Sequence, residues 1–135
     1  MTLRLIPLLV VPVLLYLLIW ATSGGQIEAR FASVLFSIGM VSGEVWHVTL
    51  SAGFIALSIV CLFVEIVRSA VPTKWAIGEN MVTALSFALC LILFLLVNGF
   101  ATSEFFLLMI MLLLDFVTDA AVMAITSRRT IAVSH

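Results

Sequence analysis

The chain has 135 residues, of which 64% are hydrophobic and only 10% are charged, and its formal net charge is −1. A soluble domain carries roughly 25% charged residues, so this composition excludes an ordinary soluble globular protein. The small net charge also excludes a general electrostatic attraction to nucleic acid.

Four apolar runs predict four transmembrane helices. They cover residues 3–21, 45–67, 76–97 and 105–125, and each is close to the ~20 residues that cross ~30 Å of hydrocarbon. The first run also resembles a secretory signal, but it exceeds the usual apolar length of about 7–15 residues, so we predict an uncleaved span. We therefore expect an all-α integral membrane protein, a single transmembrane domain in which four helices form an antiparallel bundle.

Basic residues predict the orientation of this bundle. Five of them fall on one side of a four-span topology: Arg4, Arg68, Lys74, Arg128 and Arg129. The other side carries only Arg30. Because basic residues are enriched on the cytoplasmic side, we predict a multi-pass protein of a cell inner membrane with both termini in the cytoplasm. Tyr16, Trp20 and Trp46 are then predicted to lie in an outer aromatic belt.

The segment between the first two runs, residues 28–42, is amphipathic when it is drawn as a helix. Its apolar residues recur at helical spacing: Phe31, Val34, Leu35, Ile38 and Val41. This spacing predicts a short helix that lies on the outer membrane surface. A helix that docks onto a partner protein has the same pattern, so both interpretations stay open. A continuous helix over 29–67 is a further alternative, although it would extend beyond the bilayer.

Polar residues on the fourth predicted span form the most informative pattern in the sequence. Asp115 lies midway along the run, and Thr118 and Asp119 follow one helical turn later on the same face. Glu65 on the second span is at a depth comparable with that of Asp119. A charge in hydrocarbon costs at least ~2.5–3.5 kcal/mol, so Asp115 should face protein or water. One interpretation is a proton or cation relay through these carboxylates.

The other interpretation of Asp115 is polar packing or partner binding. Within the chain, it would accept a hydrogen bond from Ser58, Thr83 or Ser86, which lie in the same half of their spans. Between chains, it would pair with a basic residue of another subunit. Intramembrane carboxylates are functional candidates in either case because they need a partner.

His47 is the only histidine within a predicted span. Gly43 lies one helical turn before it, and a small residue at that spacing leaves room for a macrocycle above the imidazole. The pattern resembles the pigment-ligating histidines of light-harvesting helices, although those subunits are single-span chains. It makes pigment or haem binding one hypothesis, and an interfacial histidine in water is the other.

Catalytic motifs are missing from the sequence: there is no phosphate-binding glycine loop, no His-Glu-x-x-His and no Cys-x-x-Cys. The leading hypothesis is therefore a small non-catalytic accessory, assembly or stabilising subunit of a larger membrane protein complex, with photosynthetic and respiratory assemblies both compatible. The alternatives are a proton- or cation-coupled carrier that uses Asp115 and Asp119, and pigment or haem binding through His47. Expected partners are membrane lipid and other membrane protein subunits, and no particular cofactor is indicated.

Overall fold

The computed structural model describes residues 6–70 and 76–133, and side chains in those ranges except at 76 and 128–133. Arg4, Lys74 and the side chains of Arg128 and Arg129, which support the predicted orientation, lie outside the described residues. The chain is mostly helical. Its elements are α1 Val10–Thr22, α2 Ile27–Phe31, β1 Val34–Gly39, β2 Val45–Thr49, α3 Leu50–Ser69, α4 Ala76–Leu96 and α5 Ser103–Val133.

Within the described residues, three helices are long and apolar enough to cross a membrane: Leu50–Ser69, Ile77–Leu96 and Ser103–Ser127. They confirm the second, third and fourth apolar runs as helices of spanning length. Helix α1 has 13 residues, which corresponds to about 20 Å and is shorter than the ~30 Å hydrocarbon core. The span predicted from the first apolar run, and with it the total of four spans, therefore stays a prediction, as does the antiparallel arrangement.

The predicted surface helix over 28–42 is wrong. Only α2 is helical in this region, and an antiparallel hairpin of β1 and β2 follows it. The physical reason lies in the residue types, since Val, Ile, Phe, Trp and Thr favour strands. Gly43 has a φ of +94° in the loop between the strands, a left-handed conformation that glycine adopts readily and a continuing right-handed helix excludes.

The hairpin also shortens the second predicted span, which begins at Leu50 rather than at residue 45. Thr49 ends β2 and caps α3, because its hydroxyl oxygen accepts a hydrogen bond from the Ala52 N–H at 3.3 Å. At the base of the hairpin, the Leu50 N–H donates to the Ser33 carbonyl at 2.9 Å. The hairpin is thus joined directly to the start of a spanning helix.

The helices pack around α5, which contacts α1, α3 and α4. The starts of α3 and α5 lie at the same end, where the Ser51 hydroxyl donates to Glu104 Oε1 at 2.7 Å. We call this the hairpin end of the bundle, and the end of α3 near Ser69 marks the opposite end.

Tyr16 occupies the core at the hairpin end rather than an aromatic belt, as its 0% exposure shows. Its ring lies 4.8–5.9 Å, between centroids, from four phenylalanines: Phe31, Phe54, Phe100 and Phe105. Its hydroxyl lies 2.7 Å from both the Gly99 carbonyl and Thr102 Oγ1. Tyr16 therefore ties α1 to the connection between α4 and α5, because its ring is buried and its hydroxyl is hydrogen-bonded there.

Candidate functional site

Asp115 is the most unusual side chain of the described structure. It is 0% exposed, and neither of its carboxylate oxygens has a hydrogen-bond partner there. It follows the start of α5 by 12 residues, which places it about 18 Å from the hairpin end. Buried polar atoms nearly always have partners, so an unpartnered carboxylate marks a site of interest.

Charged residues from three helices lie close enough to Asp115 to interact with it electrostatically, and they are Asp119, Glu65, Glu79 and Arg68. These residues come from α3, α4 and α5. We refer to Glu65, Glu79, Asp115 and Asp119 as the acidic cluster, and it lies toward the opposite end of the bundle.

Glu65 has a structural role within the acidic cluster. Its Oε2 accepts hydrogen bonds from the Leu8 N–H at 2.8 Å and from Arg68 Nη1 at 3.2 Å. Leu8 precedes α1, where backbone N–H groups have no partner within the helix. The buried Glu65 carboxylate therefore holds the start of α1 against α3.

The expected hydroxyl partners of Asp115 bind their own helices instead. The Ser58 hydroxyl donates to the Phe54 carbonyl, Thr83 to Glu79 and Ser86 to Val82, at 2.8–3.0 Å. Thr118 likewise donates to the Leu114 carbonyl at 2.7 Å. A hydroxyl has one proton to donate, so these groups leave Asp115 without a donor.

Two residues of the opposite end were not singled out from the sequence. Glu79 belongs to the acidic cluster, and the Oδ1 atom of Asn80 is buried without a hydrogen-bond partner in the described structure. The available signal was a polar stripe on α4, since Glu79, Thr83 and Ser86 are spaced by four and three residues.

The geometry does not form a metal centre, because no group of three or more His, Cys, Asp or Glu in the described residues is suited to hold a metal ion. His47 lies in β2 and is exposed, with its Nδ1 2.8 Å from the Ser37 hydroxyl. The helical spacing between Gly43 and His47 is therefore wrong, and with it the basis for placing a macrocycle above the imidazole.

The hairpin exposes apolar side chains on both of its faces. All six residues of β1 are exposed, and Phe36 is exposed by 55%. The apolar residues of the hairpin with at least two fifths of their surface exposed are Val34, Leu35, Phe36, Ile38, Met40, Val41, Val45 and Trp46. Val48 in β2 is the buried exception. Such a concentration of exposed apolar groups is typical of an interaction surface.

Two cavities lie beside α2, at the hairpin end of the bundle. Their volumes are about 310 and 460 Å³, and both are lined by Glu28, Ala101 and Thr102. Glu104 lines the smaller one, where it accepts the hydrogen bond from Ser51. The hairpin end thus combines a polar recess with an apolar projection.

No protein-family model matches the chain, and no curated protein or solved structure matches it either. Its two distinctive features are the exposed hairpin at one end and the acidic cluster toward the other. Any proposal about the function therefore depends on the chemistry of the hairpin and of the acidic cluster.

Proposed function

We propose that this chain is a non-catalytic accessory subunit of a larger membrane protein complex and that its β-hairpin holds a partner subunit. Four helices in an antiparallel bundle would anchor it, with both termini in the cytoplasm and the hairpin on the outer side of the inner membrane. The observation that carries this proposal is the exposed two-stranded hairpin. The distribution of basic residues supports the orientation.

The strand edges argue against hydrocarbon as the environment of the hairpin. In the described part of the chain the sheet has two strands, each paired on one side only, so β1 and β2 each present an open edge there. Open sheet edges do not occur in contact with lipid hydrocarbon, because each unsatisfied backbone group costs several kcal/mol there. The hairpin is therefore expected to lie beyond the hydrocarbon core.

Water alone is also a poor environment for this hairpin. Isolated two-stranded hairpins are marginally stable in water, and this one exposes large apolar side chains on both faces. A protein partner meets both requirements, because it buries apolar surface and pairs with a free backbone edge. We therefore assign the occupant as an extended segment from an extramembrane loop of another membrane protein.

The edge of β1 is the better place for such a strand. All six β1 residues are exposed, whereas β2 contains the buried Val48 next to its last residue, Thr49, and continues into α3. The Met40 N–H donates to the Glu44 carbonyl at 2.7 Å, which makes these two residues a hydrogen-bonded pair. Since hydrogen-bonded and non-hydrogen-bonded pairs alternate along an antiparallel ladder, the N–H of Gly39 points away from β2.

Gly39→Pro is expected to abolish stoichiometric co-purification of the partner from gently solubilised membranes. Proline removes the outward N–H and blocks an added strand, while the β1–β2 pairing does not use that group. Gly39→Ala is the matched control, because it keeps the N–H and its Cβ has no atom within 4 Å. Equal recovery of the partner with both variants, at equal thermal stability of the two proteins, would contradict strand addition at β1.

A further inference from the structure

We propose that Asp115 is a proton-binding site that exchanges its proton with the opposite end of the bundle only. The site is independent of the hairpin and of partner binding. The step is a simple acid–base exchange, in which one carboxylate oxygen of Asp115 gains a proton from hydronium, which becomes water, and later returns that proton to water.

The first argument is the surroundings of the carboxylate. Asp115 is fully buried, and no donor reaches either oxygen in the described structure. An ionised carboxylate without water or hydrogen-bond donors is strongly disfavoured, and it takes up a proton instead. The protonated form carries no charge and supplies an O–H donor of its own.

The second argument is the charge on every helix that packs around this position. Helix α3 contributes Glu65 and Arg68, α4 contributes Glu79, and α5 contributes Asp119. Helix α1 carries no charged residue between Val10 and Thr22. The charged neighbours of Asp115 are thus three acidic residues and one basic residue, Arg68, which is paired with Glu65 at 3.2 Å.

The third argument defines the side from which the proton arrives. Asp119 is one turn, or about 6 Å, closer to the opposite end, and it is partly exposed. Toward the hairpin end, α5 has only apolar residues from 105 to 114, a length of about 15 Å. Phe105, Leu108 and Leu112 in this stretch are 0% exposed.

The neighbouring helices do not bridge this apolar stretch. On the hairpin side of Asp115, α3 carries two hydroxyls, those of Ser51 and Ser58, which donate to Glu104 and to the Phe54 carbonyl. Phe54 is itself buried in the aromatic core. A proton on Asp115 therefore has a polar route through Asp119 and no continuous polar route to the hairpin end, which distinguishes a binding site from a through-going carrier.

The test is infrared spectroscopy of the purified full chain in liposomes at neutral pH. The sequence contains only two aspartates, Asp115 and Asp119. Aspartate labelled with ¹³C at the side-chain carboxyl therefore shifts the infrared bands of these two groups without any substitution. We expect a protonated carboxylic acid band that shifts on this labelling and is lost in Asp115→Asn. Glu104→Gln, which removes a carboxylate at the hairpin end, should keep it. Absence of a label-sensitive acid band in the unsubstituted protein would overturn the proposal, even if Asp115→Asn does not fold.

Hydrogen–deuterium exchange of the same band tests the direction of access. Asp119→Asn should slow the exchange at Asp115 at least about tenfold, because it removes the neighbouring proton acceptor, whereas Ser58→Ala should leave the rate unchanged. Slower exchange in Ser58→Ala with an unchanged rate in Asp119→Asn would place the access route at the hairpin end and refute the proposed one. Loss of the acid band on adding sodium, with choline as control, would identify a cation site instead.

Discussion

Tyr16→Ala is expected to lower the free energy of unfolding by about 3–5 kcal/mol, the range for removing a large buried aromatic side chain. The ring is 0% exposed and contacts Phe31, Phe54, Phe100 and Phe105. The substitution leaves a cavity among these rings and removes both hydroxyl contacts. Denaturant unfolding in detergent micelles, followed by tryptophan fluorescence, measures the effect.

Two further variants separate the contributions of Tyr16. Tyr16→Phe keeps the ring and removes the hydroxyl, which leaves the Gly99 carbonyl and Thr102 with one partner fewer and should cost about 1–3 kcal/mol. Leu95→Ala removes an apolar side chain that is 68% exposed on α4, and it should change stability by no more than about 0.5 kcal/mol. Equal stabilities of Tyr16→Ala and Leu95→Ala would show that the aromatic core does not form as described.

Gly99→Ala is expected to destabilise the chain by about 2–4 kcal/mol, which combines backbone strain with loss of a hydrogen bond. Gly99 has a φ of +92°, and an added Cβ would lie 2.5 Å from Trp20 Nε1 and 2.6 Å from its Cδ1. Trp20 cannot easily move aside, because its Nε1 donates to the Asn98 carbonyl at 2.9 Å and its ring contacts Phe100.

The matched glycine control is Gly39→Ala, where φ is not positive and the added Cβ meets no atom within 4 Å. We expect it to leave the unfolding midpoint nearly unchanged. In a Trp20→Ala background, Gly99→Ala should cost only the part that arises from backbone strain, since the steric conflict is gone. An identical cost of Gly99→Ala in both backgrounds would contradict the close approach of Trp20 to Gly99.

Run length and hydropathy were sufficient to predict the three long apolar helices, because crossing hydrocarbon imposes a length on each apolar run. Between residues 28 and 49, run length and hydropathy predicted the wrong elements, a surface helix and the start of a span instead of a hairpin. Over a short stretch, apolar residues at positions such as Val34, Leu35 and Ile38 fit helical spacing and strand alternation equally well. All of β1 is exposed, so no buried face was present to impose a period of two. The glycines and the β-branched residues were the better signal.

The candidate site was predictable in part. The sequence places Asp115 at mid-span, and the cost of a charge there indicates that it is enclosed. Its neighbours depend on how three helices rotate about their axes, which hydropathy does not determine. Likewise, the partners of Tyr16 lie in a connection more than 80 residues away, so its place in the core rather than in an aromatic belt follows only from tertiary packing.

The most direct test of the proposed function is a photo-crosslinking residue in place of Phe36, activated in native membranes. Phe36 is 55% exposed on β1, and Leu95 on α4 provides a control position of similar exposure that is expected to face lipid. The proposal predicts one discrete protein adduct from position 36, mapped by mass spectrometry to an extramembrane segment of a different membrane protein, and lipid adducts from position 95. Adducts from position 36 only with lipid, or only with a second copy of this chain, would contradict a role in holding a partner subunit.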